Sequence, residues 1–266
     1  MQRFTDQKYL TQDQYKDSGN LDARIAIHQR FSSNPQGWFN WVLDTLVQVP
    51  ENAIVLELGC GAGTMWKECA GRIPAGWAIT LTDLSDGMLD AAWRSLVTLG
   101  RGFKFERVDA QSIPYDDKTF DVVIANHMLY HVPDREKALT EIKRVLKDDG
   151  RLIATTVGGT HMQEMYRFLN HVNINERPGM FSNPFTLENG LEQLQNVFSR
   201  VKKSQYLDNL QVTEIAPLIA YIRSSISATD LSEEKLDELK KELIAALEKE
   251  GKIFITKDSG LFEALK

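Results

Sequence analysis

Val55-Leu56-Glu57-Leu58-Gly59-Cys60-Gly61-Ala62-Gly63-Thr64 decides the reading of this chain. An apolar run ends on an acid and passes into a turn with glycine at every second position. Such a turn lets the backbone take positive φ and leaves no Cβ between chain and ligand. The helix expected after it points its amino-terminal amides at the same place. Three later strand ends, at regular intervals, strengthen the signal: a second strand ends at Asp83, a third reaches Asp109 and a fourth ends at Asn126.

Outward from that stretch, strands and helices alternate from Ala53 to Gly158, the pattern of a parallel sheet with crossover helices. Apolar or β-branched runs bounded by turn residues predict strands at 53–58, 78–82, 103–107, 121–125 and 151–156. Ser85 is placed to cap one helix, and Asp134-Arg135-Glu136-Lys137 opens another that runs to about Leu146 and stops at Asp148-Asp149-Gly150. Upstream, residues 1 to 20 are polar, with Tyr9 and Tyr15 as isolated aromatics. A helix is predicted from Leu21 to Phe31, and after Ser32-Ser33-Asn34 a second opens at Pro35 and runs toward Val47.

After Gly159 the alternation stops. Helices are predicted over 160–173 and from Thr186 to Leu194, separated by a loop with Pro178, Gly179 and Pro184. A strand is expected at 197–207, then helices near 213–226 and 231–249. The last of these sets Leu236, Leu239, Leu243 and Leu247 on one face and ends at Gly251. Lys252 to Lys257 returns as the final strand.

The composition bounds the function. The chain has 266 residues, a net charge of −6 and only two cysteines, Cys60 and Cys69. The acidic balance argues against nucleic acid as the main partner. Two cysteines make neither a disulfide framework nor a zinc ligand set, so no metal is expected and a reducing cytoplasm is the default. The first residues lack the apolar core of a signal peptide, and no run reaches the length of a membrane span.

In an open α/β sheet the ligand lies at the carboxyl ends of the strands. There Asp83 can accept both hydroxyls of a ribose. Asp109-Ala110 can offer a carboxylate and an amide to an adenine edge, with Leu84 and Met88 sandwiching the ring. Both NAD and S-adenosylmethionine fit an acidic second strand. A dinucleotide fingerprint has the spacing G-x-G-x-x-G, and Thr64 stands where its third glycine belongs, with bulky Met65 and Trp66 next. A shorter cofactor without a pyrophosphate fits this turn better.

Glu57 to Gly63, Thr82-Asp83-Leu84-Ser85 and Asp109-Ala110 resemble the cofactor motifs of the class I S-adenosylmethionine-dependent methyltransferases. Phe120 to Asp134 and Lys143 to Gly150 resemble the subgroup containing the ubiquinone and menaquinone biosynthesis enzymes and many small-molecule methyltransferases. The likeness covers about 53–158 and, more weakly, the last strand. It implies a Rossmann-like, seven-stranded, mostly parallel sheet with helices on both faces and an antiparallel last strand. The chain then divides into an N-terminal helical cap (1–50), a cofactor-binding core (51–158), a helical substrate lid or insert (159–250) and a final strand with the C-terminus (251–266).

By the same resemblance Glu57 fixes the methionine amino group, while Gly59, Cys60 and Gly61 line the methionine and ribose. Asp83 holds the ribose hydroxyls, Asp109 binds the adenine amino group, and Asn126 offers its backbone near the sulfonium. The subgroup often has paired histidines where this chain has Tyr130-His131. The implied activity is methyl transfer to an O, N or C atom of a small molecule, leaving S-adenosylhomocysteine. Two rival readings stay open: a protein that binds or senses S-adenosylmethionine without turnover, and a nicotinamide-dependent oxidoreductase.

His127 and His131, four apart, would share a face of a helix. They are the candidate catalytic pair, His127 the nearer to the methyl group. Structural partners and metal binding are their alternative roles, and no third metal ligand is evident. Trp38, Phe39 and Trp41 either cap the pocket or join the core. His161, Met165, Tyr166, Phe168, His171, Phe181 and Phe185 either wall a substrate site or bury their own stripe. Arg24 and His28 share a helix face, where they either meet a substrate anion or sit in solvent.

Overall fold

The computed structural model describes residues 5–46, 49–174, 184–225 and 231–266. Seven strands form one sheet: β1 (Ile54–Leu58), β2 (Ala78–Asp83), β3 (Phe103–Arg107), β4 (Phe120–Asn126), β5 (Leu146–Val157), β6 (Arg200–Val212) and β7 (Ile253–Leu265). Their order is β3-β2-β1-β4-β5-β7-β6. β1 to β5 pair in parallel, and β7 runs antiparallel to both β5 and β6. The seven-stranded, mostly parallel sheet with an antiparallel last strand is therefore the observed one. The chain leaves β1 toward β2 and β3, then returns to its other side for β4, which opens a crevice at the carboxyl ends of β1 and β4.

The described helices are α1 (Gly19–Phe31), α2 (Trp38–Asp44), α3 (Thr64–Glu68), α4 (Asp86–Leu96), α5 (Arg135–Val145), α6 (Gln163–His171), α7 (Gly190–Gln195), α8 (Ile215–Ser225) and α9 (Glu233–Glu250). Period-two alternation assigns the strand residues to two cores. Leu56, Leu58, Val123 and Ala125 pack with Ala138, Leu139 and Ile142 of α5. Val55, Ile79, Leu81 and Val122 pack with Leu43, Trp66 and Leu96 of α2, α3 and α4. Side-chain caps fix where helices start. Ser85 Oγ accepts the Met88 amide at 3.3 Å, and Asp134 accepts that of Lys137 at 3.0 Å.

Several boundaries differ from the sequence reading: the strand expected at 197–207 is β6 at Arg200–Val212, and the helix expected from Thr186 to Leu194 is α7 at Gly190–Gln195. Asp148-Asp149-Gly150 lies inside β5 rather than ending a helix, because pairing jumps from Phe120↔Leu146 to Val122↔Arg151 and the bulge absorbs the extra residues. The helix after the glycine turn is short and gives way to a 3-10 turn at Ala70–Arg72. β7 continues to Leu265, far past Lys257. The expected ends of the second helix at Val47 and of the eighth at residue 226 lie outside the described residues, as do Pro178, Gly179 and Phe181.

The length of β7 shapes the site. Its pairing with β5 ends at Val157↔Ser259, but its pairing with β6 goes on to Val212↔Ile253. The β6–β7 ribbon thus projects beyond the carboxyl edge of β5. Leu210, Val212, Ile253 and Ile255 of this ribbon share a third core with α1, α6, α8 and α9. The N-terminal segment and the insert meet there, beside the crevice.

Candidate active site

A cavity of roughly 1400 Å³ opens at this edge. That exceeds the ~300–1000 Å³ of ordinary single-ligand pockets and leaves room for two molecules side by side. Its wall includes every residue given a cofactor or catalytic role from the sequence: Glu57, Gly59, Cys60, Gly61, Asp83, Leu84, Met88, Asp109, Ala110, Asn126, His127 and His131.

The glycine loop runs at positive φ, +67° at Gly59 and +54° at Gly61. A Cβ at Gly59 would stand 2.8 Å from Cβ of Met128, so the loop also depends on close packing there. The loop is pinned from β2: Asp83 accepts the Gly61 amide at 3.0 Å and the Ser85 amide at 2.9 Å. Burial raises the Asp83 pKa against those bonds.

Glu57 points to the α3 side of the sheet and is only 2% exposed. Its carboxylate accepts the Trp66 indole N–H at 2.5 Å. Burial pushes its pKa up to about 8, opposed by the Trp66 bond and reinforced by the charge of Asp83. Free of ligand, Glu57 is therefore largely protonated at neutral pH. Burial likewise raises the Cys60 thiol well above its usual range, so it is an inert wall group. Asp109 behaves oppositely. Partial burial pushes it up, but bonds from Gln111 and Gln7 and the charge of Lys137 hold it below the usual carboxylate range.

The two histidines do not share a helix face, which corrects the sequence reading. His127 has φ of +51° and precedes a 3-10 turn at Leu129–His131. Its amide donates to Thr155 Oγ1 at 2.9 Å, and that hydroxyl donates to Asn126 Oδ1 at 2.6 Å. This clamp fixes the Asn126 side chain. The His127 ring packs on Trp38, with centroids 5.1 Å apart. Burial drives its pKa to about 3, helped by the charges of His161, Lys257 and His131. His131 meets the Tyr15 hydroxyl at 3.1 Å.

Several residues of the wall carried no local signal. A helical turn at Gln7–Tyr9, capped by Asp6, continues as a π-turn over Leu10–Gln14 and lays the N-terminal segment along the carboxyl edge. Gln7 donates to Asp109 at 3.3 Å, and the Tyr15 carbonyl accepts from Ser85 Oγ at 2.7 Å. Nothing in the polar run 1–20 marks these contacts. Lys257 is different: Ile253, Ile255, Lys257 and Ser259 form one buried row of β7, so a lysine in an apolar period-two row was a readable sign. Its ammonium pairs with Asp208 at 2.5 Å, the side chains being 5% and 0% exposed.

Of the undecided groups, Trp38 and Phe39 line the cavity, as do Arg24, His28, His161 and Tyr166. Met165 and Phe185 are core, and Trp41 and Phe168 pack against it. His171 is mostly exposed beside Glu242. Among the described residues no group of three or more His, Cys, Asp or Glu side chains could hold a metal ion.

The residues suit S-adenosylmethionine in kind. The buried Glu57 and the half-buried Asp83 match an ammonium and ribose hydroxyls, and the Asp109 edge with buried Met88 matches a purine. A dinucleotide fits worse, since Met65 and Trp66 fill the place where its helix would approach the strand.

Comparison with known proteins agrees with this geometry. Residues 56–154 match the family described as Methyltransferase domain. A demethylmenaquinone methyltransferase of Lactobacillus johnsonii is 33% identical over 146 residues, 52% of this chain and 59% of the relative. The ubiquinone/menaquinone biosynthesis C-methyltransferase UbiE of Idiomarina loihiensis is 34% identical over 101 residues, 37% of this chain and 40% of the relative. The chain thus spans about half the length of these curated relatives. Among solved structures, phosphoethanolamine N-methyltransferase 2 of Haemonchus contortus, in complex with S-adenosyl-L-methionine, aligns at TM-score 0.60 and 20% identity, covering 99% of this chain and 60% of that one. The [4+2]-cyclase SpnF aligns at 0.55 and 18% identity, covering 93% and 94%. At such identities the likeness is one of fold.

Proposed function

We propose, from the class I methyltransferase domain that this chain carries, that it binds S-adenosylmethionine and moves its methyl group to a small-molecule acceptor. The observation that carries the reading is the convergence of Glu57, Asp83 and Asp109 on one cavity beside a glycine loop. Glu57 would hold the amino group and Asp83 the ribose hydroxyls. The Asp109–Ala110 edge, with Leu84 and Met88, would hold the adenine, and Gly59, Cys60 and Gly61 would line the tail. When bound, the cofactor supplies an already activated methyl group on a sulfonium.

The protein's own contribution is alignment and exclusion of water. The Thr155 clamp holds Asn126 and His127 where β4 ends. The N-terminal segment lies over the cofactor half through Gln7 and Tyr15. His127 and His161, each with a pKa of about 3, and His28, which burial also depresses, stay neutral near pH 7 and are weak bases. Efficient general bases have pKa values near the working pH. The site therefore favours an acceptor atom that needs no strong base, such as a neutral amine or an enolate-like carbon. His127 is then a contact group, and His131, also on the wall, is hydrogen-bonded to the Tyr15 hydroxyl.

The two cysteines are free thiols, in keeping with a reducing compartment such as the cytoplasm. Among the described residues no helix is long and apolar enough to cross a membrane.

The test is calorimetric titration with S-adenosylmethionine, S-adenosylhomocysteine and NAD, on the wild type and on Asp83→Ala, with thermal melting as a check of folding. Both sulfur ligands should bind and NAD should not. The variant should lose more than about tenfold, since bonds to a charged acceptor are worth about 2 kcal/mol. Absence of binding by either sulfur ligand, or an unaffected variant, would overturn the cofactor assignment. A second reading, use of the cofactor without methyl transfer, is favoured by the three weakly basic histidines. Retention of S-adenosylmethionine with no turnover on any acceptor would favour it.

A further inference from the structure

One guanidinium in the cavity has no use in the cofactor assignment. Arg24, on α1, lines the wall. Its Nε donates to Ser224 Oγ at 3.2 Å, Nη1 to the Tyr15 hydroxyl at 3.2 Å and Nη2 to the Ser224 carbonyl at 2.5 Å. Every one of these partners is neutral. The ionisable groups that act on it are the phenols of Tyr15, Tyr221 and Tyr130, and among the described residues no carboxylate pairs with it. Three of the five guanidinium N–H groups are thereby committed and two remain. A half-buried cation set against neutral dipoles alone is poorly compensated, and an anion restores the balance.

Among the described lining residues no second cation competes for that anion. Lys257, the other cation among the described lining residues, is already neutralised by Asp208. His161 lines the same cavity; its Nδ1 accepts the Asp258 amide at 3.3 Å, so its neutral ring carries the proton on Nε2. Ile25, Trp38, Val157, Tyr166 and Tyr221 give the same cavity apolar and aromatic surface, alongside polar Gln14 and Ser225.

We propose that Arg24 receives an anionic group of the acceptor, so that the acceptor is a small molecule with a carboxylate or phosphate on an apolar body. This rests on the cofactor-plus-acceptor reading of the cavity. Arg24 brings a planar fork that matches either anion through two parallel bonds. The rival role is purely architectural, a tie from α1 to the last carbonyls of α8. That role predicts lost stability and no selectivity for anions.

The experiment titrates the full chain, saturated with S-adenosylhomocysteine, with benzoate, phenyl phosphate and neutral benzamide, using the wild type, Arg24→Gln and Arg24→Lys. At least one anionic probe should bind the wild type at least tenfold more tightly than benzamide, and the stronger of the two identifies the group. Arg24→Gln should lose that binding at least tenfold with S-adenosylhomocysteine affinity unchanged. Arg24→Lys, which keeps the charge without the fork, should fall between. Should Arg24→Gln fail to fold, the preference for anions over benzamide and the lysine variant still decide. Equal binding of benzamide and the anions, no binding of any probe, or anion binding untouched by both substitutions would overturn the proposal. Failure of S-adenosylhomocysteine to bind counts against the cofactor assignment instead, and the same titrations are then read on the ligand-free chain.

Discussion

Replacing Glu57 by Gln should make the protein more stable at alkaline pH and leave it unchanged in acid. The carboxyl is 2% exposed, packed in the α3 side of the sheet against Trp66, and burial lifts its pKa from 4.5 to about 8. Below pH 4.5 the folded and unfolded chains both hold this proton. As pH rises the unfolded chain releases it first, so stability falls across the window and levels off above about 8. The slope is about 1.4 kcal/mol per pH unit, and the full window corresponds to at most about 5 kcal/mol. Water entering from the adjoining cavity would reduce this to about 3 kcal/mol. Gln keeps the volume and an oxygen for the Trp66 N–H but does not titrate. The difference between Glu57→Gln and wild type should therefore be near zero at pH 4.5 and about 3–5 kcal/mol in favour of the variant at pH 8.5. For a chain of this size each kcal/mol is worth roughly 2–4 °C in Tm. Urea unfolding at steps from pH 4.5 to 9 measures it. A difference that does not change with pH, or a variant less stable at pH 8.5, would refute the buried, protonated Glu57.

Two further outcomes concern other parts of the site. Lys257→Met takes the counter-ion from the Asp208 carboxylate, which keeps donors from Ser32, Ser33, Asn34 and the Asn209 amide, and should cost about 1–3 kcal/mol in urea unfolding. Adding Asp208→Asn should recover most of it, and a double variant no better than the single one would contradict the ion-pair account. Gly87 sits in the first turn of α4, where an added Cβ would stand 1.8 Å from the Lys16 carbonyl oxygen. Gly87→Ala should push residues 15–17 off the cavity edge, speeding amide exchange there and weakening S-adenosylhomocysteine by about tenfold, a loss of roughly 1.4 kcal/mol. Unchanged exchange and affinity would show that this contact does not hold the segment.

The cofactor half of the cavity was legible because its parts are local. A strand, a glycine turn and a strand-end acid are neighbours in sequence, and parallel-sheet geometry carries each strand end to the same edge. Glu57, Asp83 and Asp109 could thus be picked out without coordinates. Tyr15 and Gln7 could not, because an isolated tyrosine in a polar run looks the same whether it faces solvent or closes a pocket. The conditional reading of His127 and His131 as sharing a face lapses for a similar reason. Four-residue spacing implies a shared face only in an α-helix, and here a left-handed residue and a 3-10 turn intervene.

The sequence alone determined the alternation of strands and helices along the core, the edge where ligands gather and the kind of cofactor those carboxylates suit, since all three depend on short-range patterns. The tertiary structure decided the rest. Burial beside Trp66 turns Glu57 into a protonated acid, and a long β7 carries Lys257 past the end of β5 to the cavity. Arg24 faces neutral partners because α1 packs against α8, two hundred residues away. Each of these depends on which surfaces exclude water together, and that is set only when distant segments pack.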